Sequence, residues 1–502
     1  MINRGLLEPS ICLPALISIH GLSVIISVPE MKIANKTLVL WLGILIQLAI
    51  VHSTPIFEDT GDIISNLSSV DLDEPLEINL YIRSETRAPG GVARQVVTVN
   101  RRFPGPEISV YKGQKLKIWV HNLFGNGNVS LHWHGLPHFG SPFMDGAPYV
   151  TQCSIKHGYS FAYEIVARYS GTYWYHGHYF TQLLDGLYGP LIVKDTKDQE
   201  IFGYDDETTI IMSDWYYDMS EDVSNTYANY IHYNSYANPI PEPVPDNGLI
   251  NGKNGECPRQ YGCESNDGFS EFIFKQGKRI RIRLINASSL MSFLFTIDDH
   301  LIQIIEVEGT IVKPSENLHF VAVGVSQRYS IIISQANSSI PTNNYWMRAI
   351  FQAECLRSTT PQEELKKLPK EVKAIVRYDP DDKSLPRTQT WVNESVRCIE
   401  GELTGLVPYY EQNVLDPTVE LKMQIIMDVD SPEKNETPLG SIATLSRGFN
   451  PPVVFTNSNT ILELYRGAEF PVSLNSYTFE AIEVVDIFLI SNENLNSLIF
   501  YQ

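Results

Sequence analysis

The chain has 502 residues, 43% of them hydrophobic and 11% aromatic, and a formal net charge of −20. That length holds two to four domains of roughly 100–200 residues each, and the composition excludes a disordered chain. The acidic balance excludes nucleic acid and anionic membrane surfaces as partners and fits a secreted protein.

The first element is a leader, assigned to residues 1–53. Lys32 and Lys36 precede an apolar run over 38–51 (LVLWLGILIQLAIV), and His52-Ser53-Thr54-Pro55 follow it. A basic region, a short apolar core and a small residue at the cut predict a secretory signal peptide over 31–53. The 14-residue run is short of the ~20 residues that span a bilayer, so a signal anchor is the alternative and the mature chain has no expected membrane span. Because this signal starts at Met31, residues 1–30 read as a start-codon artefact or as part of a long leader. Sequons at Asn66, Asn128, Asn286, Asn337, Asn393 and Asn435 agree with an extracellular, glycosylated product.

Residues 77–99 and 106–122 read as short strands punctuated by glycine and proline. The segments 108–110 and 116–120 alternate apolar with polar, the pattern of half-buried strands. No long helical periodicity occurs before residue 200. Many short strands with regular turns predict an all-β sandwich or barrel. Two His-x-His pairs then follow, His132 with His134 and His176 with His178, both in strand-like sequence. Alternate strand side chains share a face, so each pair sets two imidazoles roughly 7 Å apart along its strand and turns Trp133 away. One such pair is as readily an ordinary polar strand edge. Two pairs, flanked by aromatics and glycines, point to a metal site, and imidazole suits copper, zinc, iron or nickel.

This stretch resembles the first two copper-binding signatures of the multicopper oxidases, the family of laccases, ascorbate oxidases and copper ferroxidases. The first signature runs His132-Trp133-His134-Gly135, nine residues to Asp145-Gly146, and five more to Gln152-Cys153. The second is Gly171-Thr172-Tyr173-Trp174-Tyr175-His176-Gly177-His178, followed by Gln182, Asp185-Gly186-Leu187 and Gly189, with Gly177 where the family usually has serine. The turn 100–106 also resembles the family's Asn-Gly-x-Phe-Pro-Gly-Pro, with Arg101 in place of glycine. The resemblance implies a cupredoxin-like Greek-key barrel over 70–197. It implies His132 as a type 2 copper ligand and His134, His176 and His178 as type 3 ligands. Asp145 matches the carboxylate that assists proton delivery to oxygen, which fits a reaction that consumes protons. A plain Asp-Gly turn is the alternative reading of Asp145.

A second cupredoxin domain is expected over 205–392. It opens with the strand 208–215, and the strictly alternating run 279–285 resembles a second-domain strand of the family. The segments 301–307, 327–333 and 345–349 extend the match. His300 and His319 stand singly and read as structural. The charged segment 363–373 reads as a short surface helix with a solvated face. A partial third domain is expected over 413–502, with a strand from Val419 and a last strong strand over 481–490.

No histidine follows His319. The resemblance implies eight histidines for the trinuclear cluster, and only four matching ones are present, so half the ligand set is expected here. A type 1 copper needs a cysteine and two histidines. Cys153 with His157 is the nearest arrangement and is rejected, because no methionine follows at suitable spacing and Cys153 matches the family's structural cysteine. The expected protein is therefore a laccase-like oxidase lacking its type 1 site, shortened at its C-terminus by a gene-model error, splicing or genuine loss. Its expected partners are oxygen and a small reducing substrate, phenolic or a metal ion. The alternatives are a catalytically silent secreted copper-binding protein, or a copper ferroxidase if the chain is completed. Met219, after the strand ending in Asp214-Trp215, tilts the choice towards a laccase, although Glu221 and Asp222 are near; Asp246 reads as a turn. A cupin is a weak third reading, since no glutamate follows His134 until Glu164.

If Cys12 leaves with the leader, Cys153, Cys257, Cys263, Cys355 and Cys398 remain, and an odd count leaves an orphan. The resemblance to fungal laccases implies a far C-terminal partner for Cys153. Cys257 with Cys263 and Cys355 with Cys398 are possible pairs that spacing does not settle. Uncovered apolar faces at Ile482, Val484 and Ile487 predict poor expression or degradation of the chain as written.

Overall fold

A computed structural model describes residues 61–64, 74–425 with short internal breaks, and the strand segments 427–428, 444–445 and 485–491. The leader, the sequons at Asn66, Asn337, Asn393 and Asn435, and most of the expected third domain lie outside the described residues. The protein is all-β with short helices, as its alternating segments predict, and its domains are cupredoxin-like.

The first set of strands is β1 (Ile63–Ile64), β2 (Leu76–Arg87), β3 (Arg94–Val99), β4 (Ile108–Tyr111), β5 (Lys115–Asn122), β6 (Leu131–His134), β7 (Ser160–Val166), β8 (Gly171–Gly177) and β9 (Tyr188–Lys194). They form two sheets, ordered β1-β4-β9-β8-β6 and β3-β2-β5-β7. Alternate side chains from the two sheets meet in one core that includes Leu80, Val110, Ile118, Leu131, Trp133 and Tyr163. The turn 100–106 holds Asn100 and Arg101 at φ 51° and 61°, so Arg101 takes the left-handed conformation that the family's glycine accepts more readily.

The second set begins after helix α1 (Thr196–Phe202), whose first turn is capped by the Asp195 carboxylate accepting from the Lys197 N–H. It comprises β10 (Asp206–Trp215), β11 (Asn247–Ile250), β12 (Glu271–Ile273), β13 (Ile280–Asn286), β14 (Phe293–Ile297), β15 (His300–Val307), β16 (Thr310–Ile311), β17 (Val321–Val323), β18 (Arg328–Gln335), β19 (Asn344–Phe351) and β20 (Glu371–Arg377). Its sheets are ordered β11-β10-β13-β18-β15-β16 and β12-β20-β19-β14-β17. Helix α2 (Ser220–Tyr233), between β10 and β11, was not anticipated from the sequence. The expected helix over 363–373 is cut short. Helix α3 covers only Gln362–Leu365, and the chain then enters β20, where Val372 and Ala374 are buried while Glu371 and Lys373 are half-exposed, a strand's period of two.

The two sets of strands share an interface. Trp174 and Tyr188 of the first pack with Ile211, Ile285 and Ala287 of the second. Beside them lies a buried polar network: the Thr172 N–H donates to Glu306 (2.6 Å), and Arg281 pairs with Asp198 (3.0 Å) and Glu306 (2.5 Å). The alternation read in 279–285 therefore faces carboxylates of the interface, and every residue of β13 is buried. Further on, β21 (Val419–Ile425) and β24 (Val485–Ser491) pair in parallel, and β22 (Met427–Asp428) pairs antiparallel with β23 (Thr444–Leu445). Among the described residues no helix is long and apolar enough to cross a membrane.

Candidate metal centre

β6 and β8 are antiparallel neighbours whose register sets His132 opposite His176 and His134 opposite Trp174. The alternation of β6 sends Trp133 into the core, fully buried against Tyr163 and Tyr175. Truncating so buried an aromatic costs about 3–5 kcal/mol, so the core residue fixes which face the histidines take. The ring of His132 lies 5.5 Å from that of His134, 5.3 Å from His176 and 5.4 Å from His178. The His132–His134 separation is shorter than the strand repeat of roughly 7 Å, while His132 and His176 are close because they are paired directly across the two strands.

Ligand atoms of His132, His134 and His176 all lie within 4.8 Å of one another. His178 follows the last residue of β8 and borders this trio, its ring 5.9 Å from that of His176. Backbone carbonyls orient two of the rings. His132 Nδ1–H donates to the Asp145 carbonyl (2.8 Å), and His176 Nδ1–H to the Gly177 carbonyl (3.0 Å). Each leaves an Nε2 lone pair facing the cluster, the arrangement by which outer partners fix a metal-binding imidazole. Trp174 stacks on His134 at 4.9 Å and lies 4.4 Å from His176, forming an apolar wall. Burial, and then the neighbouring imidazoles, push His134 and His176 far below the ordinary histidine value and lower His178 as well. Neutral imidazole is the ligating form. Converging imidazole nitrogens, most of them buried and neutral, are a donor set that fits a borderline cation such as copper.

Asp145 lies against this face, with Oδ1 3.3 Å from His132 Nδ1. Burial acts to raise its carboxyl, but the hydrogen bond and charge of His132 and the charges of His138 and His178 outweigh that and hold it below the usual value. His138 was not singled out in the sequence. It is 3.8 Å from Asp145, and burial pushes its imidazole down to about 4. The departure at Gly177 has a packing reason: a Cβ there would meet Leu187 at 2.8 Å and Gln182 at 3.1 Å.

The other singled-out residues take structural positions. Cys153 is disulfide-bonded, so it offers no thiolate to a type 1 copper beside His157. Cys257 is bonded to Cys263 and Cys355 to Cys398, and no described cysteine is free. Asp246 accepts from the Tyr217 N–H (2.9 Å) in a turn. Met219 lies beside the Arg94 guanidinium, and Glu221 and Asp222 sit in the first turn of α2. His300 is sealed by hydrogen bonds, and His319 lies edge-on to Trp391. The sequon at Asn286 is closed to glycosylation: the residue is fully buried and its amide donates to the Met291 and Val323 carbonyls. Asn128 is half-buried, its amide 3.5 Å from the Tyr179 hydroxyl.

Comparison with known proteins adds to this geometry. Two family models, both described as multicopper oxidase, match residues 82–198 and 206–369. Laccase-1 of Cryptococcus neoformans is 33% identical over 334 residues, which are 64% of this chain and 50% of that protein. Dihydrogeodin oxidase of Aspergillus terreus is 31% identical, the match covering 71% of this chain and 57% of that one. Among solved structures, Fet3p, a multicopper oxidase that functions in iron import, superposes with a TM-score of 0.60 at 27% identity, over 71% of this chain and 62% of its own. The laccase from Botrytis aclada gives a TM-score of 0.59 at 26% identity, over 74% of this chain and 67% of its own. The chain spans about half the length of the curated relatives it matches.

Proposed function

The chain belongs to the multicopper oxidase family, and from that membership we propose that its first domain supplies four ligands of a trinuclear copper centre. The observation that carries this reading is the convergence of His132, His134 and His176 within 4.8 Å, with His178 beside them. His134 Nδ1 and His176 Nε2 are 3.3 Å apart, and two imidazole nitrogens held at about 2.0–2.1 Å by one tetrahedral ion stand roughly that far apart. These two histidines are thus assigned to one type 3 copper, His178 to its partner and His132 to the type 2 copper. We assign the supporting domains to 70–197 and 205–392, with a third over 413–502.

The activity proposed for the completed centre is laccase-like: oxidation of phenolic or similar small reducing substrates, coupled to reduction of oxygen to water, by an extracellular enzyme. Bound copper supplies the one-electron redox steps and the reduction of oxygen. The protein's own groups do the rest. Burial keeps His134, His176 and His178 neutral, Trp174 shields His134 and His176, and the Asp145 carbonyl orients His132. The Asp145 carboxylate, held ionised beside His132, accepts a proton at Oδ1 and hands it towards the copper face.

Equilibrium dialysis against copper tests the ligand assignment. Wild type should retain copper that a variant with all four histidines changed to alanine does not. Equal copper retention by the two proteins would sink the ligand assignment.

A further inference from the structure

Arg328 opens β18 in the second domain, yet its guanidinium lies against both histidine strands of the first. It is 3% exposed. Its Nε donates to the Thr172 carbonyl in β8 (3.2 Å), four residues before His176. Its Nη2 crowds Gly135, the residue after His134, so closely that a Cβ there would fall 2.0 Å from it. Gly135 has φ +82°, a conformation and a spacing that only glycine meets at low cost. Nη1 is held by the Glu308 carboxylate, which also accepts the Arg328 N–H (2.8 Å), so the guanidinium plane is fixed from its own side. Glu306 grips the same point of β8 through the Thr172 N–H.

The need for such support follows from topology. β6 is only four residues long and lies at the edge of its sheet, so strand pairing restrains it on one side alone. The chain leaves it through Gly135 immediately after His134. A rigid group from outside the sheet is therefore the natural restraint on how far His134 sits from His176.

We propose that Arg328 is a positioning residue for the copper ligands, setting the separation of His134 and His176 by holding Gly135 and Thr172 at once. This rests on the reading that those histidines bind copper. Arginine suits the task because its planar fork serves several partners in fixed geometry, which a lysine ammonium does not.

The test uses the full chain, with Cu(II) affinity measured by competition titration and the site's geometry by EPR. Arg328→Met should weaken copper binding about 10–100-fold, the range for lost outer partners, and shift the EPR spectrum. Arg328→Lys, the milder change, should recover only part of the affinity. Arg348→Met is the control. That arginine is also buried, but pairs with Asp298 and Glu371 inside the second domain; the variant should lower Tm and leave copper affinity and spectrum unchanged. Wild-type affinity and spectrum in both Arg328 variants would overturn the proposal while leaving the ligand assignment standing, as would equal weakening by Arg348→Met. A wild-type chain that binds copper no better than the four-alanine variant would overturn both.

Discussion

The two domains bury histidine in opposite ways. In the second, His300 is complete within the protein: Nδ1 lies 2.8 Å from the Asp298 carbonyl and Nε2 2.8 Å from the Tyr378 hydroxyl, with that ring stacked beside it. In the first, His132 and His176 spend one nitrogen each on a carbonyl and turn the other towards neighbouring imidazoles. Burial first, and then the neighbouring rings, make His134 and His176 harder to protonate. A histidine with a partner on each nitrogen needs nothing more. Imidazoles aimed at one another gain most when a cation stands between them.

The largest effect that sharpens this contrast should come from exchanging the two kinds of histidine. His176→Ala should lower copper affinity by more than about 100-fold, beyond the range for an outer partner. His300→Ala should leave copper binding intact and cost about 2–4 kcal/mol, the combined loss of buried contacts and two hydrogen bonds, read from urea unfolding. Copper loss in His300→Ala would break the comparison.

The next test is pH. His134, His138, His176 and His178 all have folded values below the unfolded 6.5, so the unfolded chain binds the extra protons. The stability of the metal-free protein is thus full above pH 6.5 and falls as pH drops below it, with the His138 contribution lost by about pH 4. Urea midpoints between pH 7.5 and 4 should decline, and less steeply in a His134→Gln, His176→Gln double variant. A flat profile would contradict the burial of neutral imidazoles.

Asp145→Asn should have a smaller effect. It keeps the backbone carbonyl bonded to His132 but removes the charge, and about tenfold weaker copper binding is expected by the same titration. Smallest of all is Lys366→Ala, which removes an exposed pair with Glu363. A change within about 0.5 kcal/mol in stability and none in copper affinity is expected.

The histidine face was legible because its information is local: two His-x-His pairs on strands suffice to bring four imidazoles together. What meets the buried side chains at and around the interface was not. The alternation over 279–285 cannot say whether arginines meet water or carboxylates, and Arg281 and Arg283 meet Asp198, Glu306 and Glu207. Arg328 is separated by 156 residues from the Thr172 carbonyl it holds, and no local pattern reports such a contact. His138 sat in plain view four residues after His134, but only the fold shows it buried beside Asp145. The short reach of α3 was misjudged because charge suggested a solvated helix, whereas the buried Val372 and Ala374 impose a strand.

The most direct measurement is a copper titration of the full chain with its histidine rings labelled with ¹⁵N, followed by NMR. Paramagnetic Cu(II) should broaden His132, His134, His176 and His178 first, while His121, His300 and His319 stay sharp. First broadening at any of those three, with the four unchanged, would contradict the assignment of this face as the metal centre.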